Sequence, residues 1–274
     1  MSLGVAIKGA EGVVLAADCR VTLSARVPNR QTILVHYDNA TKLLNFSKPH
    51  DFVGAVTYGL GLIGQRTAHS YLPEFELMLP KNRIQVGDFA KQLSDFFMER
   101  WRESNPPPNY TGPGVTFLIG GYDEEEPYGK VFALEIPGSP TPQPRNEGRD
   151  DFGMTWGGQL EIVSRLIHGY DPMFLSAVRE KLGLDEPAIE QLVKDVRSAL
   201  EFRIPYNILP LQDCIDLATF LIRTTMTAQR LAATVRGVGG LIEVAVITRT
   251  RGLEFIQRKE LHGEETGSLF GGAS

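Results

Sequence analysis

Two Val-rich apolar runs, Leu3–Lys8 (LGVAIK) and Val13–Asp18 (VVLAAD), lie on either side of Gly9-Ala10-Glu11-Gly12. Short β-favouring runs separated by a Gly-bounded turn form a hairpin, so the chain opens with paired strands. A second pair, Lys42–Phe46 and Phe52–Thr57, is joined through Ser47-Lys48-Pro49-His50 and follows a polar, Pro-containing insertion at 24–41. Four strands are therefore predicted before any helix.

The period then changes. Leu60–Met78 and Val86–Trp101 carry apolar residues at helical spacing, with Phe89, Ala90, Leu93, Phe97 and Trp101 on one stripe. The Pro-rich loop Asn105–Pro113 ends the second helix, and strands Val115–Gly121 and Lys130–Ile136 flank an acidic turn, Asp123–Glu126, read as solvated. A Pro- and Gly-rich loop at 137–150 leads to a strand near Phe152–Trp156. Helical patterns follow at 158–168, 172–182, 185–202 and 211–233, and strands Leu241–Thr248 and Leu253–Gln257 close the order.

Strands, helices, strands, helices and strands again permit an α+β fold in which each apolar face is covered. The layered solution is a four-layer α/β/β/α sandwich, two stacked antiparallel sheets flanked by helices. No repeat or linker divides the 274 residues, so 1–260 is expected to form a single domain and 261–274 a flexible C-terminal tail.

Composition narrows the function classes. The net charge of −5 and the lack of a basic run argue against nucleic-acid binding. Cys19 and Cys214 sit in apolar stretches without a disulfide spacing, which suits buried thiols in a reducing compartment. No window reaches the roughly 20 apolar residues of a membrane span, and the first residues lack a signal-peptide pattern, so a cytoplasmic location is expected. His36, His50, His69, His168 and His262 show no metal-ligand spacing and are read as scattered surface or loop residues. No G-x-S-x-G elbow, phosphate loop or dinucleotide fingerprint is present. Neither cofactor nor metal is expected.

The opening residues, Ser2-Leu3-Gly4-Val5-Ala6-Ile7-Lys8-Gly9 followed by Gly12 to Thr22, resemble the first two strands of a 20S proteasome β subunit, a member of the N-terminal-nucleophile hydrolases. Thr41-Lys42-Leu43-Leu44, Leu118 to Asp123 and Gly239 to Thr248 resemble further family segments in the same order. The resemblance covers most of 2–136 and 239–258. It implies the nucleophile at Ser2, where active family members carry Thr, with Asp18 and Lys42 as its acidic and lysine partners. Arg20 falls at a position that supports the loop beneath the site. An oxyanion-binding N–H is implied near Tyr58 or Gly59, although Gly59 can equally be a turn before a helix. Asp18 and Lys42 can likewise be an ordinary interstrand ion pair.

The chemistry also stands without the family. A hydroxyl needs an adjacent base, and an α-amine with a pKa of about 7.7–8.0 is suited to that task. Ser2 would supply both groups once Met1 is removed. Against this, the family's polar partners of the terminal amine fall at Val235 and Val238, and another family Ser falls at Gly157. Two functions follow. One is a proteasome-type peptidase subunit acting on polypeptides within a homo-oligomeric ring or proteasome-like assembly. The other is a catalytically inactive structural or scaffold subunit.

Overall fold

The computed structural model describes residues 2–26 and 32–263. Strands β1 (Leu3–Lys8) and β2 (Val13–Asp18) form the hairpin, in a register pairing Gly4 with Ala17 and Lys8 with Val13. Gly9 N donates to Gly12 O at 2.9 Å to close the turn. Both strands are buried at every residue, as continuous apolar runs require. Strands β10 (Gly153–Gly158), β11 (Ile242–Thr248) and β12 (Gly252–Gln257) complete an antiparallel sheet in the order β10-β1-β2-β11-β12.

A second antiparallel sheet runs β5 (Leu43–Asn45), β6 (Val53–Gly59), β7 (Val115–Gly121), β8 (Lys130–Ile136) and β9 (Ser139–Arg145), in that order. Helix α2 (Val86–Glu103) lays the predicted stripe of Phe89, Leu93 and Phe97 on this sheet, against Phe117, Ile119 and Leu134. Helix α1 (Leu72–Met78) adds Phe75, whose ring meets that of Phe89 edge-on at 5.5 Å. Ala6, Leu15 and Ala17 of the first sheet pack with Val56 and Leu118 of the second. Val5, Ile7 and Val14 point the other way, against Val163 of α3 (Glu161–His168) and Ala218, Leu221 and Ile222 of α6 (Leu211–Leu231). Period-2 alternation in β1 and β2 thus gives each strand one face toward the other sheet and one toward helices. Between α3 and α6 lie α4 (Pro172–Leu182) and α5 (Glu186–Leu200), capped by Asp171 and Asp185 on the N–H groups of Phe174 and Ala188.

Several expectations are corrected. The 24–41 insertion contributes to a separate ribbon of β3 (Val21–Arg26) and β4 (Thr32–Tyr37), so six strands, not four, precede the first helix. The 137–150 loop contains β9, despite Pro140, Pro142 and Pro144. Strand β9 forms the sheet's edge, where one side needs no ladder donors, and prolines at every second residue remove N–H groups from one side alone. Of 60–78, only 68–78 is helical, beginning with a single 3₁₀ turn at 68–71; Gly61 and Gly64 precede it. Asp123 is buried, not solvated. Its carboxylate accepts from Val86 N at 2.6 Å, satisfying a free donor at the start of α2, and pairs with Lys130 at 2.5 Å. His50 is buried too, bonded through Nε2 to Pro80 O at 2.9 Å. Most of the expected tail lies outside the described residues.

Candidate active site at the start of the first strand

Ser2 immediately precedes β1 and is 5% exposed. Its carbonyl accepts from Gln159 N at 2.8 Å. Gly158, at φ +97°, lets β10 pass this close, since a Cβ there would lie 2.0 Å from Ser2 O. On the other side, Leu3 N donates to Asp18 Oδ1 at 3.0 Å. The strand tip is therefore held from both neighbouring strands.

Asp18 closes β2 and is fully buried, with four donors around its carboxylate. Leu3 N and Lys42 Nζ reach Oδ1 at 3.0 and 2.7 Å, and Arg20 N and Gly239 N reach Oδ2 at 3.1 and 3.0 Å. A buried acid costs least when its lone pairs are filled in this way. Lys42 stands just before β5, with its carbonyl held by Thr57 N at 2.9 Å and its ammonium on Asp18. Burial lowers the pKa of Lys42; the neighbouring Asp18 opposes that shift without cancelling it.

Ser2, Lys42, Thr57, Tyr58 and Gly59 line one cavity of about 30 Å³, room for a water molecule. Gly59 ends β6 opposite Val115 and precedes no helix directly, since Ala68 is the first helical residue after it. Its φ of +91° and a would-be Cβ 2.2 Å from Gly114 O explain why this position takes glycine. Arg20 does not line this cavity. Its guanidinium grips Asp38 at 2.5 and 2.7 Å and Arg236 O at 3.1 Å, tying loops together. The positions that depart from the family pattern contribute no side-chain polar group. Val235 is 40% exposed, Val238 donates its backbone N–H to Gln229 Oε1 at 3.0 Å, and a Cβ on Gly157 would strike Tyr58 Oη at 2.1 Å. Tyr58 thus fills the space a side chain at 157 would need.

Sequence reasoning missed a second acid–lysine pair, the buried Glu243 with the half-buried Lys259. Glu243 Oε1 lies 3.5 Å from Lys259 Nζ, which also donates to Ala40 O at 2.9 Å and Thr41 Oγ1 at 2.8 Å. Lys259 thereby fixes the two residues that lead into Lys42. A lone acid inside the apolar run Leu241–Thr248 was the available signal for Glu243; Lys259 had none. Burial pushes the Cys19 thiol up to about 12, with Glu243 adding to the effect, so Cys19 is no nucleophile. A larger cavity of about 700 Å³ lies around Lys8 and Glu147, but no Ser, Thr, Cys or His lines it. Chemistry, not size, places the candidate site at Ser2. Among the described residues, no helix is long and apolar enough to cross a membrane, and no group of three His, Cys, Asp or Glu could hold a metal.

The class defined by this architecture is a mixed α+β fold with antiparallel sheets. The solved structure of Anbu (ancestral beta-subunit) from Yersinia bercovieri is similar to the chain with a TM-score of 0.51 and 13% identity, covering 93% of this chain and 86% of that one. No protein-family model matches the chain, and no curated protein matches it. The resemblance to a 20S proteasome β subunit is corrected accordingly. The solved structure that the fold resembles is of Anbu, distinct from a 20S β subunit, and nothing in the family or curated comparisons supports a 20S β subunit. Strand motifs set by hairpin geometry and buried packing recur across related folds, so they misdirect at the level of the family.

Proposed function

We propose that the chain is an N-terminal-nucleophile hydrolase that cleaves peptide bonds through Ser2 after loss of Met1, which lies outside the described residues. The observation that carries this reading is the buried Lys42–Asp18 pair at 2.7 Å, whose lysine shares a cavity with Ser2. In the proposed reaction the neutral α-amine of Ser2 takes the Oγ proton as Oγ attacks the substrate carbonyl carbon. The amine then passes that proton to the leaving nitrogen, and the C–N bond breaks to give a serine ester. Water attacks the ester, giving up one proton to the amine, and that proton returns to Oγ as the acid departs. Gly59 N–H serves the oxyanion. The Lys42 ammonium disfavours a second cation beside it and so keeps the α-amine neutral.

The fold that frames this site is proposed as the four-layer α/β/β/α sandwich of that superfamily, formed by 1–260 as one domain. Proposed with it are a cytoplasmic location, polypeptide substrates and assembly into a homo-oligomeric ring. A second reading, a subunit without turnover, is favoured by the apolar Val235 and Val238 and by Tyr58 filling the space beside Gly157. Incubation with a β-lactone that acylates hydroxyl groups, followed by intact and peptide mass measurement, separates the two. An adduct on Ser2 of a chain lacking Met1 supports the hydrolase. An unlabelled chain that retains Met1 overturns it.

A further inference from the structure

A cavity of about 340 Å³ opens between the C-terminal half of α6 and the loop leading into β11. Four arginines line it: Arg223 and Arg230 from α6, Arg236 from the following segment and Arg20 from the turn after β2. Arg223 and Arg230 are seven residues apart, two helical turns, and so share one face of α6. No Asp or Glu lines the cavity, although the chain carries 33 acidic residues against 28 basic ones.

Arg20 is neutralised at the rim by Asp38. Among the described residues, no carboxylate lies within 4.0 Å of the guanidinium groups of Arg223, Arg230 or Arg236. The negative end of the α6 dipole accounts for Arg230 in the last turn, but its reach ends there and does not extend to Arg223. Among the described residues, Arg223 has neither partner and Arg236 has only a hydrogen bond to Arg230 O at 3.4 Å, so three positive charges around one concavity repel one another and an anion that enters relieves that repulsion. Guanidinium forks match phosphate and carboxylate oxygens with paired hydrogen bonds. The volume lies at the small end of ligand pockets, roughly 300–1,000 Å³.

We infer that this cavity binds a small polyvalent oxyanion, a phosphate ester or a polycarboxylate, through Arg223, Arg230 and Arg236. The assignment is independent of catalysis at Ser2. It is tested on the full chain by calorimetric titration and thermal unfolding with inorganic pyrophosphate in one arm, citrate in a second and sodium chloride at matched ionic strength in a third. The expected result is saturable one-site binding of pyrophosphate or citrate with a rise in Tm, and no such rise with chloride. Preference for pyrophosphate names a phosphorylated ligand, and preference for citrate a polycarboxylate.

Arg223→Gln with Arg230→Gln weakens that binding by about 10- to 100-fold, the effect of losing charge-assisted hydrogen bonds. Arg102→Gln, on an exposed arginine of α2, leaves it unchanged. Without added anion Arg223→Gln alone melts at or above the wild-type temperature, because repulsion is reduced and no helix-end interaction is lost. Three outcomes overturn the inference: no saturable binding, equal affinity in the double variant, or an Arg223→Gln variant that is less stable without anion.

Discussion

At the Ser2 end of β1, Lys42 Nζ lies 2.7 Å from the Asp18 carboxylate. At the other end, Lys8 is just as buried but donates to two backbone carbonyls, Asn146 O at 3.0 Å and Gly148 O at 2.9 Å, with the Phe152 ring 5.8 Å away. Burial lowers both lysines. Asp18 opposes it for Lys42 through a direct hydrogen bond, whereas Asp151 and Asp150 oppose it for Lys8 only through space. The carboxylate at the first end is itself held by three backbone N–H groups, so the pair has one geometry. The difference shows why burial alone does not mark a site. Lys8 ties a loop to a strand, while Lys42 is held on Asp18 and lines the same cavity as Ser2.

The sharpest way to break this comparison is by activity. Ser2→Ala is expected to lower the rate of peptide hydrolysis by on the order of 10⁴- to 10⁶-fold, as loss of a nucleophile does, while Lys8→Met stays within about threefold of wild type. Comparable losses in both, measured as initial rates on a fluorogenic peptide, would place the chemistry elsewhere.

Stability gives the next largest contrast. Asp18→Ala strands a buried ammonium and three N–H donors and should lower the unfolding free energy in urea by about 3–5 kcal/mol. Lys8→Met exchanges two hydrogen bonds for apolar packing and removes a buried charge, so a change within about 1.5 kcal/mol is expected. Equal losses would erase the distinction between the two ends.

The pH dependence sharpens the comparison further. Both lysines have folded pKa values below the ordinary 10.5, so between the folded value and 10.5 the unfolded chain binds more protons. Stability therefore rises with pH across that window for each lysine, and the burial penalty vanishes above it. Cys19 and Cys214 act oppositely. Their folded values of about 12 and about 11 exceed the ordinary 9.0, so they erode stability as pH rises above 9.0. That term is common to wild type and Lys8→Met and cancels between them, but the Lys42 charge acts on the Cys19 thiol, so it does not cancel for Lys42→Met. Urea unfolding followed from neutral pH up to 10.5 should show wild type gaining on Lys42→Met and on Lys8→Met as the pH rises through the lowered folded values. A flat difference would mean that burial does not perturb that lysine.

The smallest effect uses the cysteines as reporters. Cys19 adjoins Asp18, and Cys214 Sγ lies 3.3 Å from where a Cβ on Gly9 would stand, next to Lys8. Cys19 is pinned by Gly239 O and Ala40 N, whereas Cys214 sits in the first turn of α6, whose N-cap Pro210 supplies no side-chain hydrogen bond. Iodoacetamide should therefore label Cys214 about tenfold faster than Cys19 through local opening. Faster labelling of Cys19 would make the Ser2 end the looser one.

Local pattern made much of the fold legible. The opening hairpin shows because Gly9 and Gly12 bound two Val-rich runs, and α2 because Phe89, Leu93 and Phe97 recur at its period. Strand β9 was hidden by prolines that only an edge tolerates, and nothing near Ser139 says where the edge falls. Asp123 looked solvated because its partner, Val86 N, begins a helix 37 residues earlier. Ser2, Asp18 and Lys42 could be named together from motif resemblance, but the same resemblance chose the wrong family.

Apolar period and turn chemistry act over a few residues, and they suffice to read the opening hairpin, α2 and the closing strands from the chain alone, though not β4 or β9. Only the folded chain shows which distant backbone groups meet these charges: Gly239 N on Asp18, Ala40 O on Lys259 and Arg236 O on Arg20. Those encounters depend on which distant loops converge, and burial then fixes each partner by making an unpaired charge or N–H too costly to keep.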